Sequence, residues 1–456
     1  FHLEAPPPPP DLDSRARLHT LVVGAGPAGL LAACLLAKAG KAVCVFDMRP
    51  RPTEFYGSFQ VVVNTRGRSA LEALGGEMLD KLERYGRRVE QLHIVQKRRT
   101  VAKVDALGVC IMRDQLVGLL LSTADQLGVA VYWSHKLLDI DVGSRSCTFS
   151  RGGGEGRVAV SAEMLIGADG NYSQVRQVCE EKLGLQVQSE DWGMRLRYFT
   201  APNPPPHRLP STVDGSVHYV MGSDGYICQK PDGVWSVSLS IFDDSDDYLV
   251  SSEASPPNIR KLTAECEQKF GPFAEYLLTS SDTYSTFFSC RTFDGKLIRC
   301  STLAPAEWIA LIGDAAHAVA PFTGEGINSA LESAAILASA AAAGDPRGGG
   351  PCLAYDAERR QDAHSLFRIA LKIRGFITGA PRSKCAYTFA TAALGVGKRL
   401  GCVRGTMNDY MLGSLSGEGV RGYTELADMD ERQRRFLQPL GMWGFYLFCC
   451  CCGRCG

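Results

Sequence analysis

The sequence has neither an excess of one charge nor a long apolar run. Among its 456 residues, 49 Lys and Arg balance 49 Asp and Glu, so the formal net charge is zero. A chain without clustered basic residues lacks what a nucleic-acid binder needs to neutralise phosphates. No stretch offers about 18 consecutive apolar residues, which argues against a membrane-spanning helix. The hydrophobic content of 45% excludes general disorder and predicts an ordinary globular chain.

The sequence also lacks the spacing of a disulfide framework or a metal site. Its 17 cysteines lie mostly one by one in apolar segments, as Cys34, Cys110 and Cys228 do. We therefore expect no metal and an intracellular, reducing location. The chain begins at Phe1 rather than Met, so a trimmed end and a removed targeting peptide both stay open, and the second would suit an organelle.

The first part of the chain predicts an extended lead followed by an α/β domain. Residues 1–16 contain five consecutive prolines, which favour a stiff extended segment without a core. Short apolar strands that alternate with helical patterns then predict a Rossmann-like fold with a parallel sheet. This domain is expected to be discontinuous and to comprise residues 17–85, 105–185 and 295–345.

The remaining segments predict a second sheet and a helical end. Residues 86–104 and 186–294 are expected to form a mixed or antiparallel sheet, with strands at Val234–Phe242 and Ser285–Arg291. Residues 346–456 are expected to be mainly helical and to end in an aromatic and cysteine-rich tail.

A glycine-rich turn between the first strand and its helix is the strongest local motif. Gly24, Gly26 and Gly29 have the spacing that allows a tight turn, close approach of a pyrophosphate and close helix packing. Pro27 and Ala28 begin the helix, whose N-terminus is suited to an anion. Asp47 ends the second strand and would bind ribose hydroxyls.

Two further strand ends carry carboxylates. A buried strand ends at Asp169-Gly170, and a second apolar segment ends at Gly313-Asp314. Carboxylates at separate strand ends of one sheet suit a polyhydroxylated ligand. The turn over residues 321–328 follows and opens a long helix, where backbone N–H groups can face an anion or a ring edge.

These three motifs, in this order, resemble those of the FAD-dependent aromatic hydroxylases, which are single-component flavoprotein monooxygenases. The resemblance covers residues 18–375 and implies that the Rossmann-like domain binds FAD. It also adds Arg113, at a predicted helix start, as a contact to the FAD diphosphate. The cofactor-binding residues implied in this way are Gly24, Gly26, Pro27, Ala28, Gly29, Asp47, Arg113, Asp169, Gly170, Gly313, Asp314, Pro321, Gly324, Gly326, Ile327 and Asn328.

The resemblance implies a reaction with two co-substrates. NAD(P)H would reduce the flavin, O₂ would form a flavin hydroperoxide, and one oxygen would pass to an aromatic or similarly activated small molecule. The cofactor carries out this chemistry, so the sequence assigns no catalytic side chain. The single glycine motif fits the family, in which NAD(P)H has no Rossmann domain of its own. His317 is expected to pack behind the flavin rather than to act as a base.

Within the family, the segment 58–68 and the motif Gly193-Met194-Arg195 are most similar to the kynurenine 3-monooxygenases. Two departures bear on the substrate. Where that group has a carboxylate-binding arginine, this chain has Glu90, with Arg88 two residues earlier, and a glutamate would repel a carboxylate. Glu325 also stands where glutamine is common, and it would place a negative charge close to the flavin.

Two alternatives to a monooxygenase remain open at this stage. The chain could be an FAD-fold subunit of a larger, membrane-bound assembly with little hydroxylase activity, or an FAD-dependent isoprenoid reductase. The tail favours the first, because aromatic residues 443–448 precede Cys449–Cys452 and Cys455. This composition suits membrane association, with S-acylation, or contact with a protein complex. An unstructured, oxidisable tail is the competing interpretation.

Overall fold

The fold consists of two β-sheets with helices packed against them. The structure is a computed structural model, and it describes residues 17–52, 59–96, 99–152, 156–201, 215–242, 247–278, 280–343, 349–379, 406–407, 411 and 420–435. The proline-rich lead and the aromatic and cysteine-rich tail lie outside the described residues.

The described strands and helices follow one another along the chain. The strands are β1 (Arg17–Val23), β2 (Val43–Asp47), β3 (Gln60–Asn64), β4 (Arg87–Gln96), β5 (Arg99–Met112), β6 (Ala130–Trp133), β7 (His135–Asp141), β8 (Ser146–Arg151), β9 (Arg157–Gly167), β10 (Val187–Asp191), β11 (Arg195–Ala201), β12 (Val217–Val220), β13 (Gly225–Gln229), β14 (Trp235–Ile241), β15 (Thr292–Phe293), β16 (Lys296–Cys300) and β17 (Ile309–Leu311). The helices are α1 (Pro27–Lys38), α2 (Thr65–Glu72), α3 (Gly76–Tyr85), α4 (Arg113–Gln126), α5 (Gln174–Leu183), α6 (Pro256–Phe270), α7 (Pro272–Leu277), α8 (Ser281–Ser289), α9 (Asp314–His317), α10 (Gly326–Ala343), α11 (Gly350–Thr378) and α12 (423–435).

The first sheet has seven strands in the order β6-β2-β1-β9-β8-β7, with β17 also paired to β9. The pairs β6–β2, β2–β1, β1–β9 and β9–β17 are parallel, whereas β7 and β8 are antiparallel. Buried residues of α1, α4 and α10 join these strands in one large core. The sequence predicts the same βαβ start, because apolar strands flank a helix that follows a glycine turn.

The second sheet has eight strands in the order β15-β11-β14-β13-β12-β4-β5-β3. Most pairs are antiparallel, but β12 runs parallel to β4. Helices α6, α7 and α8 cover one side of strands β11–β14 and form a separate core with them. Strands β10 and β16 form a third, two-stranded sheet. The predicted α/β class with a mixed second sheet is confirmed.

One predicted strand is wrong. The segment Ser285–Arg291 was expected to be extended, but Ser281–Ser289 forms helix α8. Its buried residues Thr283, Phe287 and Phe288 recur at helical spacing, and the two phenylalanines are adjacent, which a strand with one buried face would not allow. The strand predicted at Val234–Phe242 is confirmed as β14.

Strand pairing differs from the predicted division of the chain at two places. Strand β3 belongs to the eight-stranded sheet, although residues 17–85 were assigned to the Rossmann-like domain. Strand β5 continues to Met112, past the expected boundary at residue 105. Both follow from the β3–β5 pairing, which joins Gln60 to Met112 across the predicted boundary. The domain boundaries themselves stay a prediction.

No helix in the described part of the chain has the length and apolar character needed to cross a bilayer.

Candidate FAD site

The carboxyl ends of the parallel strands lie at one edge of the seven-stranded sheet. Strand β1 ends next to Gly24, β2 ends at Asp47, β9 ends before Ala168, and β17 ends before Gly313. Backbone hydrogen bonds tie these ends together: Gly24 N donates to Phe46 O at 2.7 Å, and Ala168 N donates to Val23 O at 2.8 Å. Ligands of open α/β sheets bind at this edge. The structure therefore brings the three sequence motifs to one crevice.

The glycines of the first turn have three different surroundings. Gly24 has a φ of +109°, and a Cβ there would lie 2.4 Å from Ala168 O. A Cβ at Gly29 would lie 2.0 Å from Gly24 O, so this glycine allows close packing of helix α1 on the turn. At Gly26 the only atom close to a Cβ is Nη2 of Arg113, at 3.8 Å. The middle glycine thus leaves space in front of an arginine, as a bound phosphate requires.

Asp47 lies where predicted, but its carboxylate is already hydrogen-bonded within the chain. Its Oδ2 accepts from Ala25 N at 2.7 Å and from Arg49 Nη2 at 2.8 Å, and its Oδ1 accepts from Arg49 N and Nε. Burial alone would raise the pKa of Asp47, but the hydrogen bonds and charge of Arg49 hold it below the ordinary value. Four donors fill the acceptor positions of a carboxylate. A ribose could bind Asp47 only if Arg49 moved, and Arg49 is half exposed.

Arg113 and Asp314 place a positive and a negative side chain at this edge of the sheet. Arg113 begins helix α4 and is partly buried, and its guanidinium has no hydrogen-bond partner among the described residues. Burial, and then repulsion from Arg49, lower its pKa. The Asp314 side chain is exposed, yet removal from bulk water raises its pKa, while Arg113 and Arg176 act against this rise. The opposite charges of Arg113 and Asp314 thus lie near each other at this edge of the sheet.

Asp169 is directed at a helix rather than at the crevice. Its Oδ2 accepts hydrogen bonds from the backbone N–H groups of Gln174 and Val175, and its Oδ1 accepts one from Ser173 Oγ. These contacts cap the N-terminus of α5, as carboxylates often do. Gly170, with a φ of +85°, makes the turn that follows, and a Cβ there would meet open space. The sequence pattern located this turn but did not reveal the capping role of its carboxylate.

The turn before helix α10 presents backbone rather than side chains. Pro321 and Gly324 are exposed, and Gly326 and Ile327 are half-buried at the N-terminus of the helix. The first N–H groups of a helix have no intrahelical acceptor and attract negative charge. Asn328 is fully buried: its amide donates to Val62 O and Gly324 O and accepts from Asn64 N. Asn328 therefore positions the turn, and its side chain has no free group for a ligand.

Glu325 turns away from the crevice into a buried polar cluster. Its two oxygens accept hydrogen bonds from Asn64 Nδ2 at 3.0 Å and from Tyr423 Oη at 2.5 Å. Arg66 Nε lies 3.8 Å from its Oε2, and the Arg66 guanidinium stacks 4.0 Å above the Tyr423 ring. Burial raises the pKa of Glu325 to about 7, against the attraction of Arg66. The Glu325 carboxyl, which the sequence predicts as a negative charge beside the flavin, is thus partly protonated near neutral pH and lies beside Arg66.

His317 packs against helix α10. It is almost fully buried, with Nε2 2.8 Å from Ser333 Oγ and Nδ1 3.5 Å from Ser329 Oγ. Burial, with the nearby charge of Arg359, lowers its pKa to about 3. A histidine that is neutral at physiological pH and bonded to two serines on α10 is a structural residue.

Three aromatic residues that the sequence reasoning missed pack together although they come from the two ends of the eight-stranded sheet. Phe59, Tyr198 and Phe293 form a cluster with ring centroids 5.3 to 5.8 Å apart. Arg113 donates its backbone N–H to Phe59 O, and its guanidinium lies 6.0 Å from the Phe59 ring. The three residues come from distant parts of the chain and no motif surrounds them, so only the fold reveals them.

The eight-stranded sheet has an inner face, on the side away from α6–α8, which we define by Val89, Cys110, Cys228 and Ser236. The residues of β14 alternate strictly: Trp235, Val237, Leu239 and Ile241 enter the core under α6–α8, whereas Ser236, Ser238 and Ser240 face the other way. All seven residues are buried. Ser236 Oγ donates to Gln60 Oε1 at 2.6 Å, which links β14 to β3 across this face. The inner face is therefore buried, like the opposite face that packs under α6–α8.

The arginine on this inner face is Arg87, one residue before the pair that the sequence singled out. Arg88 and Glu90 are exposed, whereas Val89 between them is buried with Cys110 and Cys228. Arg87 lies on the side of Val89, because side chains alternate along a strand. Its Nη2 would be 2.1 Å from a Cβ at Gly215. The expected repulsion of a carboxylate by Glu90 is therefore absent from the inner face.

Comparison with protein families assigns the fold. A family model described as "FAD binding domain" (FAD_binding_3) matches residues 17–370. The match spans well over half of the chain, so the chain belongs to the FAD-binding domain family.

Curated relatives and solved structures of similar fold indicate which class of FAD-binding protein the chain resembles. The chain is 28% identical to a kynurenine 3-monooxygenase of Salinispora tropica, over 71% of this chain and 72% of the relative. It is 27% identical to a violacein synthase of Chromobacterium violaceum, over 69% and 75%. The fold is similar to that of p-nitrophenol 4-monooxygenase from Pseudomonas putida, with a TM-score of 0.65 and 20% identity, over 89% of this chain and 98% of that one.

The protein is accordingly a flavoprotein monooxygenase related to the FAD-dependent aromatic hydroxylases, and its cofactor is FAD. The resemblance inferred from the glycine turn and the two aspartate motifs is confirmed. The roles of individual residues in binding FAD stay predictions.

Proposed function

We propose that this protein is an NAD(P)H-consuming monooxygenase that hydroxylates an aromatic or similarly activated small molecule. The observation that carries the proposal is the arrangement at the sheet edge, where the Arg113 guanidinium lies beside the open Gly26 turn and close enough to Asp314 for their charges to interact. The relatives named kynurenine 3-monooxygenase support the assignment of the reaction type.

The residues of this crevice fit FAD. A buried cation without a hydrogen-bond partner is costly, and a diphosphate in front of Gly26 would give Arg113 charged acceptors. Asp314 could then accept hydrogen bonds from the hydroxyl groups of the sugar-alcohol chain. The N-terminus of α10 would face the pyrimidine end of the ring system, where its N–H groups favour negative charge. Asp169 and Asn328 would act indirectly, by fixing α5 and the turn before α10.

FAD supplies the electron transfer and oxygen activation when it is bound. The chain itself has to bind the cofactor, orient the substrate and exclude water. The rings of Phe59, Tyr198 and Phe293 pack together beside Arg113, and the serines of β14 are buried as well. Such closely packed surroundings would exclude water and protect a reactive oxygen species from unproductive decay.

The position of Arg87 on the inner face also favours a substrate with an acidic group. Arg87 lies on the same side of β4 as Val89 and close to Cys110, whereas Arg88 and Glu90 are exposed on the other side. A half-buried guanidinium binds a carboxylate or phenolate more strongly than an exposed one, because water screens it less. We therefore include aromatic acids and nitrophenols or other acidic phenols among the substrates to be tested.

Steady-state oxidation of NADH and NADPH, with a panel of aromatic acids and phenols, tests the proposal. The expected result is slow oxidation without an aromatic compound, strong stimulation by at least one panel member, and incorporation of oxygen from ¹⁸O₂ into the product. FAD-loaded protein that no panel member stimulates would favour the alternative of an FAD-fold subunit in a larger assembly. Turnover that continues without oxygen and reduces an isoprenoid double bond would favour the reductase.

We further propose an intracellular, reducing location. Among the described cysteines, Cys110 and Cys228 lie close together as free thiols rather than as a disulfide. An oxidising compartment would favour a disulfide at such a pair. Labelling of free thiols in protein taken directly from cells, before and after reduction, tests this location: equal labelling is expected, and an increase after reduction would contradict it.

A further inference from the structure

Three metal-ligating side chains meet on the inner face of the eight-stranded sheet. The ligand atoms of Cys110 on β5, His218 on β12 and Cys228 on β13 all lie within 4.8 Å of one another. All three residues are fully buried, at 0% exposure. Two thiols and one imidazole are the donor set that zinc prefers in proteins. No other group of three such side chains was found among the described residues.

The imidazole of His218 is held in the manner of a metal ligand. Its Nδ1 is hydrogen-bonded to Tyr226 Oη, while its Nε2 is buried without any partner in the described part of the chain. A buried nitrogen that lacks a partner costs free energy, and such an atom calls for an explanation. In metal sites the second ring nitrogen of a histidine is usually fixed by a hydrogen bond, which leaves the first free for the ion.

The charges of the three ligands also suit a divalent ion. A zinc ion with two thiolates and a neutral imidazole is electrically neutral as a group, so its burial costs less than that of a bare ion. Tetrahedral zinc would keep one further position, which a water molecule could fill.

We propose that Cys110, His218 and Cys228 form a zinc site that ties strand β5 to strands β12 and β13. In the sheet order, β4 and β12 separate β5 from β13, so the thiols meet only because the sheet curves. A zinc ion at this point stabilises that curvature and with it the inner face. The site is independent of the FAD crevice, and its ligands come from distant parts of the sequence, which is why no spacing motif revealed it.

The experiment measures zinc in the full chain purified with zinc in the growth medium. To keep the tail from binding metal, Cys449, Cys450, Cys451, Cys452 and Cys455 are all replaced by Ser in every sample. The expected content is about one zinc ion per chain, and X-ray absorption should show sulfur near 2.3 Å and nitrogen near 2.0 Å, as in ordinary zinc sites. Cys110→Ser and Cys228→Ser should lose at least about nine-tenths of this zinc. Cys266→Ser, at another buried cysteine, should keep it.

Three results would overturn the proposal. These are absence of zinc from the parent protein, retention of zinc by Cys110→Ser or Cys228→Ser, and a Cys110–Cys228 disulfide in freshly isolated protein without zinc. FAD content and circular dichroism report whether each variant is folded. Should a serine variant fail to fold, X-ray absorption of the parent protein decides alone, since a spectrum without sulfur neighbours contradicts the site.

Discussion

The two large sheets of this protein present their functional residues in different ways. The seven-stranded sheet does so at strand ends, because Gly24, Asp47 and Asp314 lie at or within three residues of the ends of short parallel strands. The eight-stranded sheet does so across its inner face, where Arg87 and Cys110 of the paired strands β4 and β5 lie on the same side as Ser236 of the distant strand β14. A site at strand ends depends on local turns, whereas a site on a sheet face depends on strand order and curvature.

The largest expected effect concerns the turn at Gly24. Gly24→Ala should destabilise the protein by about 4 kcal/mol and abolish FAD binding, because a Cβ at 2.4 Å from Ala168 O adds overlap to a strained φ. Urea unfolding and flavin absorbance measure both effects. Gly128→Ala is the matched control, since Gly128 has a φ of +72° but no atom within 4 Å of a Cβ. Its cost should be about 1 kcal/mol. Equal losses in the two variants would show that packing against β9 is unimportant.

The second largest effect concerns FAD affinity and compares Arg113 at the sheet edge with an exposed arginine. Arg113→Met should weaken FAD binding roughly 10- to 100-fold without unfolding the protein, because it removes charged hydrogen bonds to a diphosphate. Isothermal titration of the apoprotein with FAD measures the change. Arg88→Met, at an exposed arginine, should leave the affinity unchanged. An Arg113→Met variant with full affinity would place the diphosphate elsewhere.

The buried cluster at Glu325 predicts a pH effect on stability. The folded pKa of about 7 exceeds the ordinary value of 4.5, so the folded protein holds an extra proton between these values. The free energy of unfolding should therefore fall by about 2–3 kcal/mol as the pH rises from 4.5 to 7. Urea unfolding across this range should show a smaller fall for Glu325→Gln, which keeps no titratable group there.

The control for this pH effect is Glu253→Gln, which removes an exposed carboxylate. This variant should show the same pH dependence as the wild type. An unchanged slope in Glu325→Gln would mean that Glu325 is ionised throughout, balanced by Arg66.

The smallest effect tests the inner face as a binding surface. Arg87→Met should raise the KM for an acidic aromatic substrate about tenfold and leave the KM for a neutral analogue unchanged, because only the acidic one gains from the cation. Arg88→Met should alter neither value. If Arg88→Met gave the larger change, substrates would contact the outer side of β4 instead.

The sequence was sufficient for the parts of the molecule that depend on neighbouring residues. The βαβ start, the strand-end aspartates and the long helix α10 could all be predicted, since each depends on a short periodic pattern and a glycine turn. The roles of Asp169 and Glu325 could not. Their carboxylates act on the N-terminus of α5 and on Tyr423, and no pattern tells which way a side chain at a turn is directed.

The parts that were missed depend on tertiary structure. Helix α8 was predicted as a strand, because a short apolar segment fits both structures until the core beneath it is known. The registers of β4 and β5 decide that Arg87 rather than Arg88 or Glu90 lies on the inner face. A shift of one residue reverses the side to which a strand residue points. Sequence alone is therefore least able to assign the residues of β4 and β5 to one face of the sheet.

Amide hydrogen exchange of the apoprotein with and without FAD tests the central claim most directly. The account predicts slower exchange at Ala25 and Gly26, at Asp314, and at Gly324 to Ile327, with no change in helices α6 to α8. Protection confined to α6–α8 or to the outer side of β4, with the glycine turn unaffected, would contradict the placement of FAD across the edge of the seven-stranded sheet.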